Sequence, residues 1–129
     1  VDIHSVYDSD PETTFCTLAE QLNSFGLAYL HVFESIVPNP HHKTTPFNLK
    51  TLQQIFTGTY IANGGYDAGS ASEALARGHA DLVSFANLFI ANPDLPERFK
   101  LNAALNTADK ETFYQGDERG YIDYPFLKS

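Results

Sequence analysis

Methionine and tryptophan are absent from the 129 residues, and cysteine occurs once, as Cys16. A single cysteine excludes an internal disulfide and a thiolate metal framework, and it fits a reducing compartment. Basic residues are also scarce: 8 Lys and Arg stand against 16 Asp and Glu, a formal net charge of −8. A surface of that sign repels nucleic-acid backbones and anionic lipid, which argues against both as partners. No run of about 18 apolar residues occurs, so no membrane-spanning helix is expected. The opening Val1-Asp2-Ile3-His4 lacks the apolar core of a signal peptide and the initiator methionine, so the chain reads as a processed product or fragment of a cytoplasmic protein. There is no P-loop, no Ser-His-Asp spacing signal and no metal-ligand framework, so no metal is expected. His41 and His42 are adjacent, their side chains point apart, and they read as surface loop, as does the acidic pair Asp117-Glu118.

What remains is an ordinary globular composition, 43% hydrophobic and 13% aromatic, enough for one modest core. Asp8-Ser9-Asp10-Pro11-Glu12 is a helix start: Ser9 or Asp10 caps, Pro11 suits the first turn and Glu12 favours the positive end of the dipole. Phe15, Leu18, Ala19, Leu22 and Phe25 follow at helical spacing, and Gly26 ends the helix. Cys16 on this helix reads as a small buried hydrophobe. Ala28 to Phe33 reads as a strand covered on both faces, with His31 as a core or pocket-lining histidine. Asn48 or Thr45 opens a second helix with Leu49, Leu52, Ile55 and Phe56 inward and Gly58 at its end.

Thr59 to Asn63 is the next strand, running into Gly64-Gly65 and a third helix over Ser70 to Arg77 that Gly78 closes. Backbone without side chains, between the C-terminal end of a strand and a helix N-terminus, is a place for an anion. Leu82 to Phe85 is a third strand, Ala86 to Ala91 returns to helix, and Asn92-Pro93-Asp94-Leu95-Pro96 opens a last helix to about Leu101. Residues 1–101 thus hold the βα units, and residues 102–129 form an aromatic tail pinned to a surface. Strands alternating with helices predict an α/β fold with a parallel sheet. A closed (β/α)8 barrel takes roughly 250 residues, so three strands make part of one at most.

Gly58-Thr59-Tyr60-Ile61-Ala62-Asn63-Gly64-Gly65-Tyr66-Asp67, Ala80 to Phe85, Leu88 to Pro96, Leu105-Asn106, Thr112-Phe113-Tyr114 and Gly120 to Leu127 occur in that order. Together they resemble the C-terminal part of the Old Yellow Enzyme family, above all its 12-oxophytodienoate reductase-like branch. Asp8 to Glu12 and Leu27 to Val32 extend the likeness over nearly the whole chain. The resemblance implies a partial (β/α)8 TIM barrel: the last three βα units and the C-terminal tail. It implies an FMN flavoprotein, an oxidoreductase of the plant oxylipin kind, in which NADPH reduces FMN and FMN reduces the C=C bond of an α,β-unsaturated carbonyl. Family members are cytoplasmic or peroxisomal. Gly64 and Gly65 match the seventh-strand phosphate loop, Ala86 and Asn87 fall where the family has Gly-Arg, and Phe113 and Tyr114 match the aromatic pair beside the flavin ring and the substrate.

Asn87 in place of arginine removes a charge-assisted contact, on the order of 1.5–3 kcal/mol or roughly ten- to a hundredfold in affinity. The family's catalytic groups belong to the upstream half, so no catalytic residue is assigned in this chain. Two functions follow. One is an ene-reductase whose flavin-phosphate side this chain supplies. The other is a catalytically inactive half-barrel that self-associates, pairs with the N-terminal half, or serves in interaction, storage or defence.

Overall fold

The structure, a computed structural model, describes residues 8–34, 47–114 and 117–128. Val1 to Tyr7, Thr45 and the His41-His42 pair fall outside the described residues. The chain divides into two compact units, Val1–Ser84 and Phe85–Ser129.

The first unit alternates helix and strand. Helix α1 (Pro11–Leu22) is capped by Asp10, whose carboxylate accepts the Thr13 N–H, and Pro11 sits in its first turn. Strand β1 (Tyr29–Phe33), helix α2 (Lys50–Ile55), strand β2 (Thr59–Asn63), helix α3 (Ala68–Ala76) and strand β3 (Leu82–Ser84) follow. The three strands form one parallel sheet in chain order, with His31 beside Ile61 and Leu82, and Phe33 beside Asn63 and Ser84. This is the α/β parallel architecture that the helix-strand alternation predicts.

A strand sends alternate side chains to opposite faces. Leu30, Val32, Tyr60, Ala62 and Val83 share one face and pack with Ala19, Leu52 and Ala80 of the surrounding elements. Tyr29, His31, Phe33, Ile61, Asn63, Leu82 and Ser84 share the other. There Tyr29, Phe33 and Leu82 are 55%, 51% and 53% exposed. Among the described residues β1 is therefore covered on one face only, which corrects the expectation of two. α1 departs from expectation too. Cys16 and Ala19 pack on the core, whereas Phe15, Leu18 and Phe25 are exposed. Only the margin of the apolar stripe that bears Cys16 and Ala19 meets the core.

Asn23 ties the two helices' ends, donating to the Ile55 carbonyl at 2.9 Å and accepting from the Thr57 N–H at 2.9 Å. α2 ends before Gly58, whose backbone φ is not positive, so Gly58 is not the helix stop that the sequence suggested. A Cβ there would meet the Phe56 ring at 2.8 Å, and close packing is the reason for glycine at this position. Gly26 and Gly78 do take the left-handed conformation expected of them.

The second unit holds α4 (Asn87–Ala91), α5 (Leu95–Leu101) and the tail. Arg98 is buried, and each of its three guanidinium nitrogens makes a bond. It meets Asp94 at 2.6 Å and donates to the carbonyls of Ala104 at 2.6 Å and Pro125 at 2.8 Å. Asn106 adds bonds to the carbonyls of Ala91 and Pro125, and Asn92 Oδ1 accepts the Asn106 N–H. Phe85 and Phe99 pack edge to face at 5.2 Å. Buried Arg98 and Asn92 thus hold residues 104, 106 and 125 of the tail against α4 and α5.

Candidate functional site

In the first unit, Gly64 and Gly65 leave the C-terminal end of β2, at φ +137° and +70°. Both values lie where side chains are strained. Gly64 carries a second constraint: a Cβ there would lie 2.1 Å from the Glu34 carbonyl oxygen. The chain crosses the end of β1 at this point, and the Glu34 N–H donates to the Asn63 carbonyl at 2.6 Å. A Cβ on Gly65 would meet nothing within 4 Å, so of the two glycines it is Gly65 that has open space beside its backbone.

The helix after the glycine pair already has its anion. Asp67 caps α3, accepting the Ser70 N–H and hydroxyl at 2.7 Å each, while the Ser70 hydroxyl accepts the Asp67 N–H. The Ser70 backbone and hydroxyl bonds hold the Asp67 carboxyl below its ordinary range. The first turn of α3 is thus occupied by a carboxylate of the chain itself. The sequence pattern, Asp67 three residues before Ser70, carried that signal.

Two polar clusters in this unit escaped the sequence reading. Glu34, just past β1, receives the Tyr60 hydroxyl at 2.8 Å on one oxygen and the Tyr66 hydroxyl at 2.6 Å on the other. Burial first, then the Glu34 carboxylate, pushes the Tyr66 phenol up to about 12, and Tyr60 is raised by the same causes. Both phenols remain protonated donors across the neutral range, so the trio is a fixed brace between β1 and the glycine turn. On the exposed sheet face, Ser84 Oγ lies 2.8 Å from His31 Nε2 and 2.8 Å from Asn63 Nδ2, which also donates to the Ser84 carbonyl at 2.9 Å. His31 is a sheet-face histidine with a hydroxyl partner rather than a core one. Strand register was the missing information: nothing in sequence spacing aligns residue 31 with residue 84.

In the second unit, Ala86 and Asn87 start α4. Ala86 has φ −103°, a conformation open to any residue, so glycine is not required there by backbone geometry. Asn87 is exposed, and the Tyr114 hydroxyl donates to its Oδ1 at 3.5 Å, the limit of such a bond. Tyr114 is itself left-handed at φ +57°, held by its N–H donating to the Tyr121 hydroxyl at 2.6 Å. Phe113 meets Tyr114 edge to face at 6.0 Å. The structure therefore brings Asn87, Phe113 and Tyr114 into one cluster, with Tyr121 as an unpredicted support. An open cavity of about 200 Å³ in the tail is lined by Asp109, Thr112, Arg119, Gly120, Asp123 and Tyr124, none of them an expected site residue.

Cys16 is half-buried, and burial followed by Glu12 and Glu20 raises its thiol pKa, which suits an inert side chain. Asp117 and Glu118 are exposed. Among the described residues no cluster of three or more His, Cys, Asp or Glu could hold a metal, and no helix is long and apolar enough to cross a membrane.

A parallel sheet with helices between its strands and a glycine turn at the C-terminal end of its middle strand define an α/β class of fold. The chain belongs to the NADH:flavin oxidoreductase / NADH oxidase family, whose sequence profile matches residues 6–106. It is 42% identical over 133 residues to 12-oxophytodienoate reductase 1 of Oryza sativa subsp. japonica, covering 99% of this chain and 34% of that protein. Among solved structures, morphinone reductase in complex with tetrahydroNAD is 45% identical with a TM-score of 0.85, covering 99% of this chain and 34% of the other. The Old Yellow Enzyme homologue from Zymomonas mobilis is 36% identical with a TM-score of 0.87, covering 97% and 36%. The resemblance drawn from the motifs holds. The chain spans about a third of the length of these relatives.

Proposed function

We propose that this chain is the C-terminal portion of a flavin-dependent ene-reductase. In this reading β1, β2 and β3 are the sixth, seventh and eighth strands of a (β/α)8 barrel. Such barrels bind phosphate with the loops after their last two strands. Gly64, Gly65, Ala86 and Asn87 then address the phosphate end of the flavin, Phe113 its ring, and Tyr114 an α,β-unsaturated carbonyl substrate such as 12-oxophytodienoate. NADPH is the reductant. The flavin carries the redox chemistry, and this chain positions it. One observation supports the reading most: a glycine pair of positive φ at the C-terminal end of the middle parallel strand, with open backbone at Gly65.

The donor set fits an FMN phosphate dianion poorly. Neither residues 63–69 nor residues 85–91 include a lysine or arginine, and Asp67 places a carboxylate on the α3 N–H groups. The backbone fits a close ligand, whereas the charge does not.

The test is titration of purified protein into FMN. Quenching of flavin fluorescence is expected, and unchanged fluorescence at high protein concentration overturns the reading. The isolated chain should not oxidise NADPH with cyclohexenone as acceptor, because no catalytic group is assigned within it.

A second reading has its own support. The sheet face bearing exposed Tyr29, Phe33 and Leu82 suits an inactive half-barrel that covers this face by self-association or with an N-terminal half.

A further inference from the structure

Glu34 meets the glycine turn of the first unit through both its backbone and its side chain. Its N–H donates at 2.6 Å to the carbonyl of Asn63, the residue before the glycine pair. Its carbonyl oxygen takes up the space that a Cβ on Gly64 would need. Its carboxylate accepts the Tyr60 hydroxyl at 2.8 Å and the Tyr66 hydroxyl at 2.6 Å, one on each oxygen. Tyr60 lies in β2 before the turn, and Tyr66 is the residue directly after Gly65. One side chain therefore ties down the chain on both sides of Gly64-Gly65.

The two phenols are not equivalent. Tyr60 is buried in the core and sits in the strand ladder, so it is fixed without Glu34. The turn has no such ladder: among the described residues no backbone hydrogen bond holds residues 64–66. Two successive glycines add to the freedom of that stretch, and a segment that must be ordered on binding loses affinity. The Tyr66 hydroxyl anchors its far end, and the α3 cap begins one residue later at Asp67. A phenol donating to a carboxylate makes a charge-assisted bond, one of the stronger kinds.

We infer that Glu34 is a positioning residue for this turn: through the Tyr66 hydroxyl it presets the Gly64-Gly65 backbone for a ligand, while its bond to Tyr60 serves the fold. This inference rests on the backbone part of the flavin-binding reading above and names the side chain that readies the turn.

Tyr66→Phe and Tyr60→Phe in the full chain each remove one hydroxyl and keep the ring, and circular dichroism verifies their fold. Nitrogen relaxation by NMR at Gly64 and Gly65 reads the turn without any ligand, and fluorescence titration reads FMN binding. Wild-type order parameters should stand near the rigid value of about 0.85, and Tyr66→Phe should drop them below about 0.6. The same variant should weaken FMN binding by about fivefold or more. Tyr60→Phe should lower the urea midpoint, yet leave the turn rigid and FMN affinity within about twofold. In a Glu34→Ala background, Tyr66→Phe should add nothing further, because its acceptor is already gone. A turn that is mobile in the wild type, or still rigid in Tyr66→Phe, overturns the inference. So do equal losses in the two tyrosine variants, the mark of a purely structural brace. A mobile turn in Tyr66→Phe with unchanged FMN affinity overturns the positioning role and leaves the flavin-binding reading intact. Wild-type protein that binds no FMN overturns the flavin-binding reading itself, and the inference falls with it.

Discussion

Gly64 and Gly65 are neighbours of the same type at the same turn, yet they are glycine for different reasons. Gly64 combines φ +137° with a Cβ position 2.1 Å from the Glu34 carbonyl, whereas Gly65 combines φ +70° with open space. Gly64→Ala should therefore destabilise the chain by about 3 kcal/mol or more, from strain and backbone clash together. Gly65→Ala should cost about 1–2 kcal/mol, the left-handed penalty alone. Urea denaturation of the two variants separates them, and equal losses would refute the distinction. The sequence marked both glycines as a turn. It could not rank them, because the clash at Gly64 depends on where Glu34 passes. Asp67 is the converse case. The Asp67-to-Ser70 spacing is readable as a cap, and it means that the chain supplies its own anion to the start of α3.

At the scale of elements, α5 and the tail are joined through one ion pair. Asp94 accepts from Arg98 and from the Leu127 N–H at 2.7 Å. Burial pushes the Asp94 carboxyl up, but the Leu127 N–H and Arg98 outweigh it and hold the carboxyl below its usual 3.8. A depressed carboxyl stabilises above its unfolded pKa and loses that contribution as pH falls through the folded one. The tail should therefore loosen below about pH 3.8, read as faster pepsin cleavage in residues 102–128 than in α5. Arg98→Ala should release the tail at neutral pH at a cost of about 3 kcal/mol, since it removes the ion-pair partner of Asp94 and the donor to the Ala104 carbonyl. A tail that stays protease-resistant in this variant would contradict the pinning role. Element order was legible because capping residues and glycine stops punctuate the chain. The exposure of β1 was not. A continuous apolar run looks the same whether or not something covers its second face, and coverage belongs to residues far away in sequence.

For the whole molecule, two properties oppose each other. The exposed row of Tyr29, Phe33 and Leu82 favours association, while a net charge of −8 resists it. Screening by salt weakens the repulsion and leaves the apolar term in place. Sizing should accordingly show a dimer or larger species whose share grows between low and high salt. A clean monomer at both would count against self-association.

The sheet has a further consequence in its order. Among the described residues each strand pairs only with the next one in the chain, so β1 meets β2 and β2 meets β3, with one described helix between each pair. Among the described residues every strand pairing joins neighbours in chain order, and none waits for a distant segment. The outer rims of β1 and β3 remain templates on which a neighbouring strand, whatever chain carries it, can be laid.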